Sequence, residues 1–122
     1  MALAADLVQI GIRSQQADFL GDVQSDAVSA TGTTQGAGTA LTNDIIRVST
    51  ATAGVNDALT IPLIATCKKS WKVVRNDSAA TVNVFPGSGE TINNLAANAS
   101  IAITANNALM FFRVSSTKWI TR

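Results

Sequence analysis

The sequence predicts an all-β fold, an antiparallel β-sandwich or jelly-roll-like domain preceded by an extended N-terminal arm. From residue 45 onward, short β-favouring runs alternate with turn residues. Their onsets recur about every 8–12 residues, the spacing expected of antiparallel sandwiches and barrels. No stretch of about 12 or more residues in this part keeps a helical apolar period. An all-β domain is therefore expected.

Seven runs are predicted to be strands, and turn residues such as Asn93-Asn94 and Asn106-Asn107 separate them. Pro62 lies within the second run and places it at a sheet edge or a bulge, because proline cannot donate to the strand ladder. The predicted strands are residues 45–50, 58–64, 70–76, 81–86, 100–104, 108–114 and 118–121.

Composition divides the chain into three zones. Residues 1–28 form an apolar N-terminal arm, in which Leu3, Leu7 and Ile10 have helical spacing while residues 8–12 alternate like a strand. So apolar an arm needs a surface to lie on, either its own domain or a neighbouring molecule. Residues 29–42 are rich in glycine and threonine and predict a linker or a long loop held by backbone hydrogen bonds. Residues 43–122 form the β domain.

The composition predicts a thin core and an oligomer. The 122 residues suffice for one domain, but 20 are Ala, 14 Thr, 10 Ser and 9 Asn, with four Phe, two Trp and no Tyr. Small domains with few large apolar groups often gain stability by association. The net charge is +1, with acidic groups concentrated in residues 1–60 and basic groups in residues 61–122. A nucleic-acid binder would carry a clear basic excess, so none is expected.

The sequence also sets expectations about compartment. Cys67 is the single cysteine, so no internal disulfide can form, and a small buried apolar role is expected for it. The first residues lack the basic region of a signal peptide, and no apolar run approaches the roughly 20 residues that cross a bilayer. We therefore expect a soluble protein made in the cytoplasm, with no membrane partner.

Catalytic and metal-binding chemistry lacks the necessary residues. Without histidine, neither a Ser-His-Asp nor a Cys-His arrangement nor a usual zinc site can be built. Asp77 and Glu90 lie in predicted turns, where solvated acids are expected, and Gly87-Ser88-Gly89 lacks the lysine of a phosphate-binding loop. We predict no enzyme, cofactor or metal. A calcium site is conceivable but has no EF-hand-like spacing; its oxygen ligands would be Asn56, Asp57, Asn76, Asp77 and Glu90.

One basic cluster, Lys68-Lys69 with Lys72 and Arg75, surrounds an aromatic residue. Basic groups beside an aromatic ring can bind single-stranded nucleic acid. Strand alternation, however, places Trp71 and Lys72 on opposite faces. We expect Trp71 in the core and Lys72 outside, in a basic patch that faces solvent or a protein.

Several segments of residues 31–122 resemble a group of small bacteriophage and prophage virion proteins. The shared pattern opens with Thr-Gly-Thr-Thr-Gln and Ala-Leu-Thr, matched by residues 31–35 and 40–42. Residues 59–62 match a strand ending near Leu-Pro less well, and residues 74–76 match a Val-Asn segment. The central Val-Tyr/Phe-Pro-x-x-Gly-x-x-Ile-Asn motif is matched by residues 84–93, and a terminal Lys/Thr-Trp by Lys118-Trp119.

The resemblance implies a sandwich or jelly-roll-like virion component, commonly trimeric. We therefore expect a capsid cement or decoration protein on the virion exterior, made in the host cytoplasm, with copies of itself and the major capsid protein as partners. A tail-associated receptor- or glycan-binding module, or a tail-tube or connector subunit, remains the alternative. A glycan site would favour exposed aromatics, whereas both tryptophans are expected to be buried. The predicted interface residues are Leu3, Leu7, Ile10, Ile12, Lys68, Lys69 and Lys72.

Overall fold

A computed structural model describes residues 24–122, so most of the predicted arm lies outside the described residues. Within them the chain forms ten strands, one 3-10 turn at Ile64–Thr66 and no α-helix. The all-β prediction is confirmed. The strands are β1 (Gln24–Ser29), β2 (Thr39–Ala40), β3 (Ile45–Thr50), β4 (Ala58–Thr60), β5 (Trp71–Asn76), β6 (Val82–Phe85), β7 (Thr91–Ile92), β8 (Ile101–Ile103), β9 (Asn107–Arg113) and β10 (Lys118–Thr121).

The first six strands alternate between two sheets. β1, β3 and β5 lie in a large sheet, and β2, β4 and β6 lie in a small sheet. Each of the strands β1 to β4 pairs with the strand two places later in the chain, and all four of these pairings are parallel. The chain thus winds through three successive coils, each adding one strand to each sheet, and the fold is solenoid-like.

The last four strands run differently and end the parallel stacking. β9 pairs antiparallel with β5 in the large sheet, and β8 pairs antiparallel with β6 in the small sheet. β10 then pairs antiparallel with β9, and β7 pairs parallel with β10. The third coil is therefore the last one, and the antiparallel strands β8 and β9 cover its far side.

The predicted antiparallel arrangement is wrong, because both sheets are mixed. Residue periodicity identifies a strand but not its partner, and the observed onset spacing suits either arrangement. Parallel neighbours require a long connection between them. Here the connection is the strand contributed to the other sheet.

The hydrophobic core lies between the two sheets. Ile46 and Val74 of the large sheet and Leu59 and Val84 of the small sheet belong to one cluster of buried side chains. The largest members, Phe111 and Trp119, are fully buried and come from β9 and β10. The antiparallel end of the fold therefore supplies both aromatic side chains of this cluster.

A buried polar group links the third coil to the antiparallel end. The fully buried Asn76 side chain donates to the carbonyl oxygens of Ala80, at 2.8 Å, and Ile103, at 2.9 Å. Its own amide oxygen accepts from the Ser78 hydroxyl at 2.6 Å and the Ser78 backbone at 3.1 Å. One side chain thereby holds the turn after β5 and the end of β8.

The zones predicted from composition do not coincide with breaks in this fold. β1 begins at Gln24, inside the predicted arm, and pairs with β3. The predicted linker, residues 29–42, contains β2 and contributes Ala30 and Leu41 to the core. It is a long loop held by backbone hydrogen bonds, including those between Ala58 and its neighbours Thr31 and Gly32.

Close approach explains two of the three glycines of this loop, Gly32 and Gly38. A Cβ atom on Gly38 would lie 2.6 Å from the Thr60 hydroxyl oxygen and 3.1 Å from the Ala58 Cβ. Gly32 has φ +67, and a Cβ there would lie 2.6 Å from that of Ala37. Gly38 lets the loop lie close against β4, and Gly32 lets the loop pack on itself, so a composition typical of linkers here reflects tight packing.

The predicted strands lie near observed ones, with one clear exception. The run 58–64 ends as a strand at Thr60, before Pro62, and β4 is an interior strand between β2 and β6, not an edge. The turns predicted at Asn93 and Asn106 hold these residues at φ 54 and 64. Asparagine tolerates this left-handed conformation better than most residues.

Candidate interaction surface

The two faces of β5 are the reverse of those predicted. Lys72 points inward and is 2% exposed, whereas the adjacent Trp71 is only partly buried. Val74, which shares the face of Lys72, belongs to the core cluster, and Trp71 does not. The prediction that Trp71 lies in the core and Lys72 outside is wrong.

Lys72 tolerates this position because polar groups meet its ammonium group. Its Nζ donates to the Asn43 carbonyl oxygen at 2.7 Å and lies 3.7 Å from an Asp44 carboxylate oxygen. The Asp44 side chain is 12% exposed. A buried charge needs such partners, and alternation within one strand cannot reveal them because they come from the preceding coil.

The outward face of the large sheet carries six large apolar side chains, which we call the outer apolar face. Residues paired across neighbouring strands share a face of the sheet. The register therefore places Ile45, Val73 and Met110 in one row across β3, β5 and β9. A second row, Trp71, Phe112 and Ile120, crosses β5, β9 and β10.

None of these six side chains packs on the core. They are absent both from the buried cluster and from the partly buried residues against it. Met110 is 41% exposed and Ile120 is 39% exposed. The face spans four strands, about 14 Å at the usual strand separation. Contiguous apolar surface of this kind marks interaction sites in soluble proteins.

Charged groups border the first row on one side. Arg47 binds Asp26 at 2.9 Å and Asp77 at 2.8 Å, and Arg75 binds Asp77 at 2.6 Å. Arg47 and Arg75 lie directly opposite each other on parallel strands, and Asp77 separates their charges. The hydrogen bonds from Arg75 and Arg47 lower the pKa of Asp77, and those to Asp26 and Asp77 raise the pKa of Arg47.

The opposite border is basic. The Lys69 ammonium group lies 5.8 Å from the centroid of the Trp71 ring, within cation–π range. Lys118, two residues before Ile120 on β10, donates to the Asn94 side chain at 3.3 Å. Arg122 exchanges two backbone hydrogen bonds with Met110, so a basic residue follows Met110 at the end of the first row.

The structure separates the predicted interface residues. Lys68 is exposed, Lys69 is 3% exposed beside Trp71, and Lys72 lies inside the fold. Lys72 is therefore excluded from a surface patch. The four predicted apolar contacts lie outside the described residues: Leu3, Leu7, Ile10 and Ile12.

Sequence reasoning missed most of the outer apolar face. One signal was present, because residues 109–112 are apolar at four consecutive positions, so both faces of that strand are apolar. Such a run is typical of a strand covered on both sides. The contributions of Ile45 and Val73 could not be recognised in the same way, since they depend on the parallel pairing of β3 with β5.

The acidic groups considered for metal binding are engaged elsewhere. The predicted solvated turn acid Glu90 is 4% exposed, and its Oε2 accepts from the Ile64 backbone at 2.9 Å. Asp57 is 7% exposed and accepts from the Thr52 backbone at 2.7 Å. Across residues 24–122, no group of three or more His, Cys, Asp or Glu could hold a metal ion.

No protein-family model, curated protein or solved structure matches the chain. Within the described residues, no helix is long and apolar enough to cross a membrane.

Proposed function

We propose that the chain is a bacteriophage capsid cement or decoration subunit, a structural protein of the virion exterior that works as an oligomer, expected to be a trimer. The observation that carries the proposal is the outer apolar face, which offers a broad contact surface. The resemblance of residues 31–122 to small phage virion proteins is the reason for proposing a virion as the assembly to which the chain belongs. The major capsid protein and further copies of the chain are the proposed partners.

The architecture supports a binding role. A single core lies between two sheets, so we retain the two-layer sandwich of the resembled proteins as part of the proposal, with mixed strand pairing. Several weak contacts made at once by an oligomer would hold neighbouring capsid subunits together through avidity. Such a function needs neither a catalytic group nor a cofactor.

Imaging of purified phage particles tests this proposal. Particles of the phage that encodes the chain would be labelled with gold-conjugated antibody raised against the purified protein and viewed by electron microscopy. We expect label over the head surface. Label at the tail, or no label on intact particles, would overturn the proposal; pre-immune serum on the same particles is the control.

A glycan-binding tail module is the second candidate, because one observation favours it. Trp119 is fully buried as expected, but Trp71 is partly exposed and lies opposite Phe112 on the same face. Exposed aromatic rings offer sugars a flat apolar surface. Titration of Trp71 fluorescence with host surface polysaccharide tests this candidate. A saturable change that Trp71→Leu abolishes, with Trp119 unaffected, would favour the tail module.

A further inference from the structure

We propose that the outer apolar face binds the N-terminal segment, residues 1–23, of a neighbouring copy of the chain. The inference deepens the proposed oligomeric function by naming the contact between copies. It begins from the six side chains of the face, two of them about 40% exposed, with no core contact to explain their apolar character.

The N-terminal segment has the apolar groups to cover this face. Leu3, Leu7, Ile10 and Ile12 fall within its first 12 residues. Eleven residues, 13–23, then separate this apolar part from Gln24 at the start of β1. Fully extended, they would span about 36 Å, well beyond the roughly 14 Å width of the face. The tether therefore exceeds the width of the face, so it does not confine the apolar part of the segment to the sheet of its own chain.

Charge favours the same pairing. The segment carries Asp6, Asp18 and Asp22 against Arg13. The border of the face along β10 is basic, with the half-buried Lys118 beside Ile120 and the exposed Arg122 beside Met110. An acidic, apolar segment and an apolar face with a basic border are complementary.

Strand addition at the sheet edge is a poor alternative contact. The register of β1 against β3 shifts twice, between Ser25 and Val28 and between Val28 and Ser29. Ala27 has φ 62, and the Asp26 side chain is 81% exposed. Bulges and exposed charge are the usual protection of an edge strand against pairing. Pairing of a second copy with the β1 edge is therefore disfavoured, which leaves the outer apolar face as the better contact surface of this sheet region.

Disulfide trapping between two differently substituted proteins tests the inference. Both carry Cys67→Ser; one also carries Leu7→Cys and the other Met110→Cys. Mixed at micromolar concentration under mild oxidation, they should form the mixed dimer at least ten times faster than a control pair with Val55→Cys in place of Met110→Cys. Val55 is a matched control because it is 48% exposed and lies outside the large sheet. A rate equal to the control would overturn the inference.

A chain carrying both Leu7→Cys and Met110→Cys distinguishes the neighbour from the chain's own segment. We expect linked oligomers; a closed monomeric disulfide would show that the segment binds its own sheet and would also overturn the inference.

Sedimentation supplies a second readout. Leu3→Ser with Leu7→Ser, and Met110→Ser with Ile120→Ser, should each weaken self-association at least tenfold, whereas Val55→Ser should not. Equal association of all variants would contradict the inference. Circular dichroism confirms that each variant is folded. These experiments contain no capsid. If they failed, antibody labelling of the phage head would still test the proposed function independently.

Discussion

The Lys72 ammonium group donates to the Asn43 carbonyl oxygen at 2.7 Å from inside the fold. This contact joins β5 to the segment that precedes β3, across two successive coils. Asp44 lies next to it, 3.7 Å from the same ammonium group. The inward turn of Lys72 is what sends Trp71 to the outer face, since neighbouring residues of a strand alternate.

Replacing Lys72 with methionine should destabilise the domain. Methionine fills a similar volume but cannot donate to the Asn43 carbonyl oxygen. It also leaves the largely buried Asp44 carboxylate without its counter-charge. We expect the free energy of unfolding to fall by about 2–3 kcal/mol. Urea unfolding followed by circular dichroism measures it. Lys68→Met, at an exposed neighbouring position, is the control. Equal stability of the two variants would show that the Lys72 contact contributes nothing.

Asn76 offers a test of the link between the coils and the antiparallel end. Asn76→Ala removes four hydrogen bonds from a fully buried site and leaves the carbonyls of Ala80 and Ile103 without this donor. We expect a loss of about 2–4 kcal/mol. Asn107, its register partner on β9, is exposed, so Asn107→Ala should change stability by less than about 1 kcal/mol. Thermal unfolding of both variants decides whether burial accounts for the difference.

The charge cluster beside the outer apolar face predicts a pH dependence. Hydrogen bonds from Arg75 and Arg47 lower the pKa of Asp77 in the folded chain. Their stabilisation is therefore present above the ordinary aspartate pKa of about 3.9 and is lost as the pH falls through the lowered value. As the pH falls from about 5 to about 2, the Asp77→Asn variant should lose less of its free energy of unfolding than the unsubstituted chain. A larger loss in the variant would contradict the assigned direction.

Cys67 should react slowly with thiol reagents. Burial raises the pKa of its thiol, so less thiolate is present at a given pH than in an exposed cysteine. The rate of modification by a disulfide reagent should have its midpoint above the ordinary cysteine pKa of about 8.5. In urea the midpoint should return to that value. A native midpoint at or below it would exclude the effect of burial.

Truncation tests the boundary between arm and domain. A chain beginning at Gln24 retains all ten strands, whereas one beginning at Asn43 lacks β1, β2 and the core residues Ala30 and Leu41. In a solenoid each coil is stabilised by its neighbours, so losing the first should lower the melting temperature and broaden the transition. Identical melting of the two chains would show that residues 24–42 add nothing to stability.

The sequence by itself determined the all-β class, because alternating apolar residues and turn-forming asparagines are local signals. It placed β3 at its observed limits, residues 45–50, and came within one or two residues for β5 and β9. It missed β1, β2 and β7, which offer few bulky side chains or only two residues each. These strands are too short, or too poor in bulky side chains, to be recognised from the sequence.

Only the tertiary structure decided which strands are neighbours and which face of β5 is inside. Pairing β5 with β3 requires a contact across a complete coil, and no local pattern encodes it. By composition alone, Lys72 belongs in water and Trp71 in the core. The partners that reverse this, Asn43 and Asp44, come from another coil of the chain. A buried charge is stabilised by contacts distant in sequence, and with Lys72 held inward, strand alternation places Trp71 and Val73 on the outer apolar face.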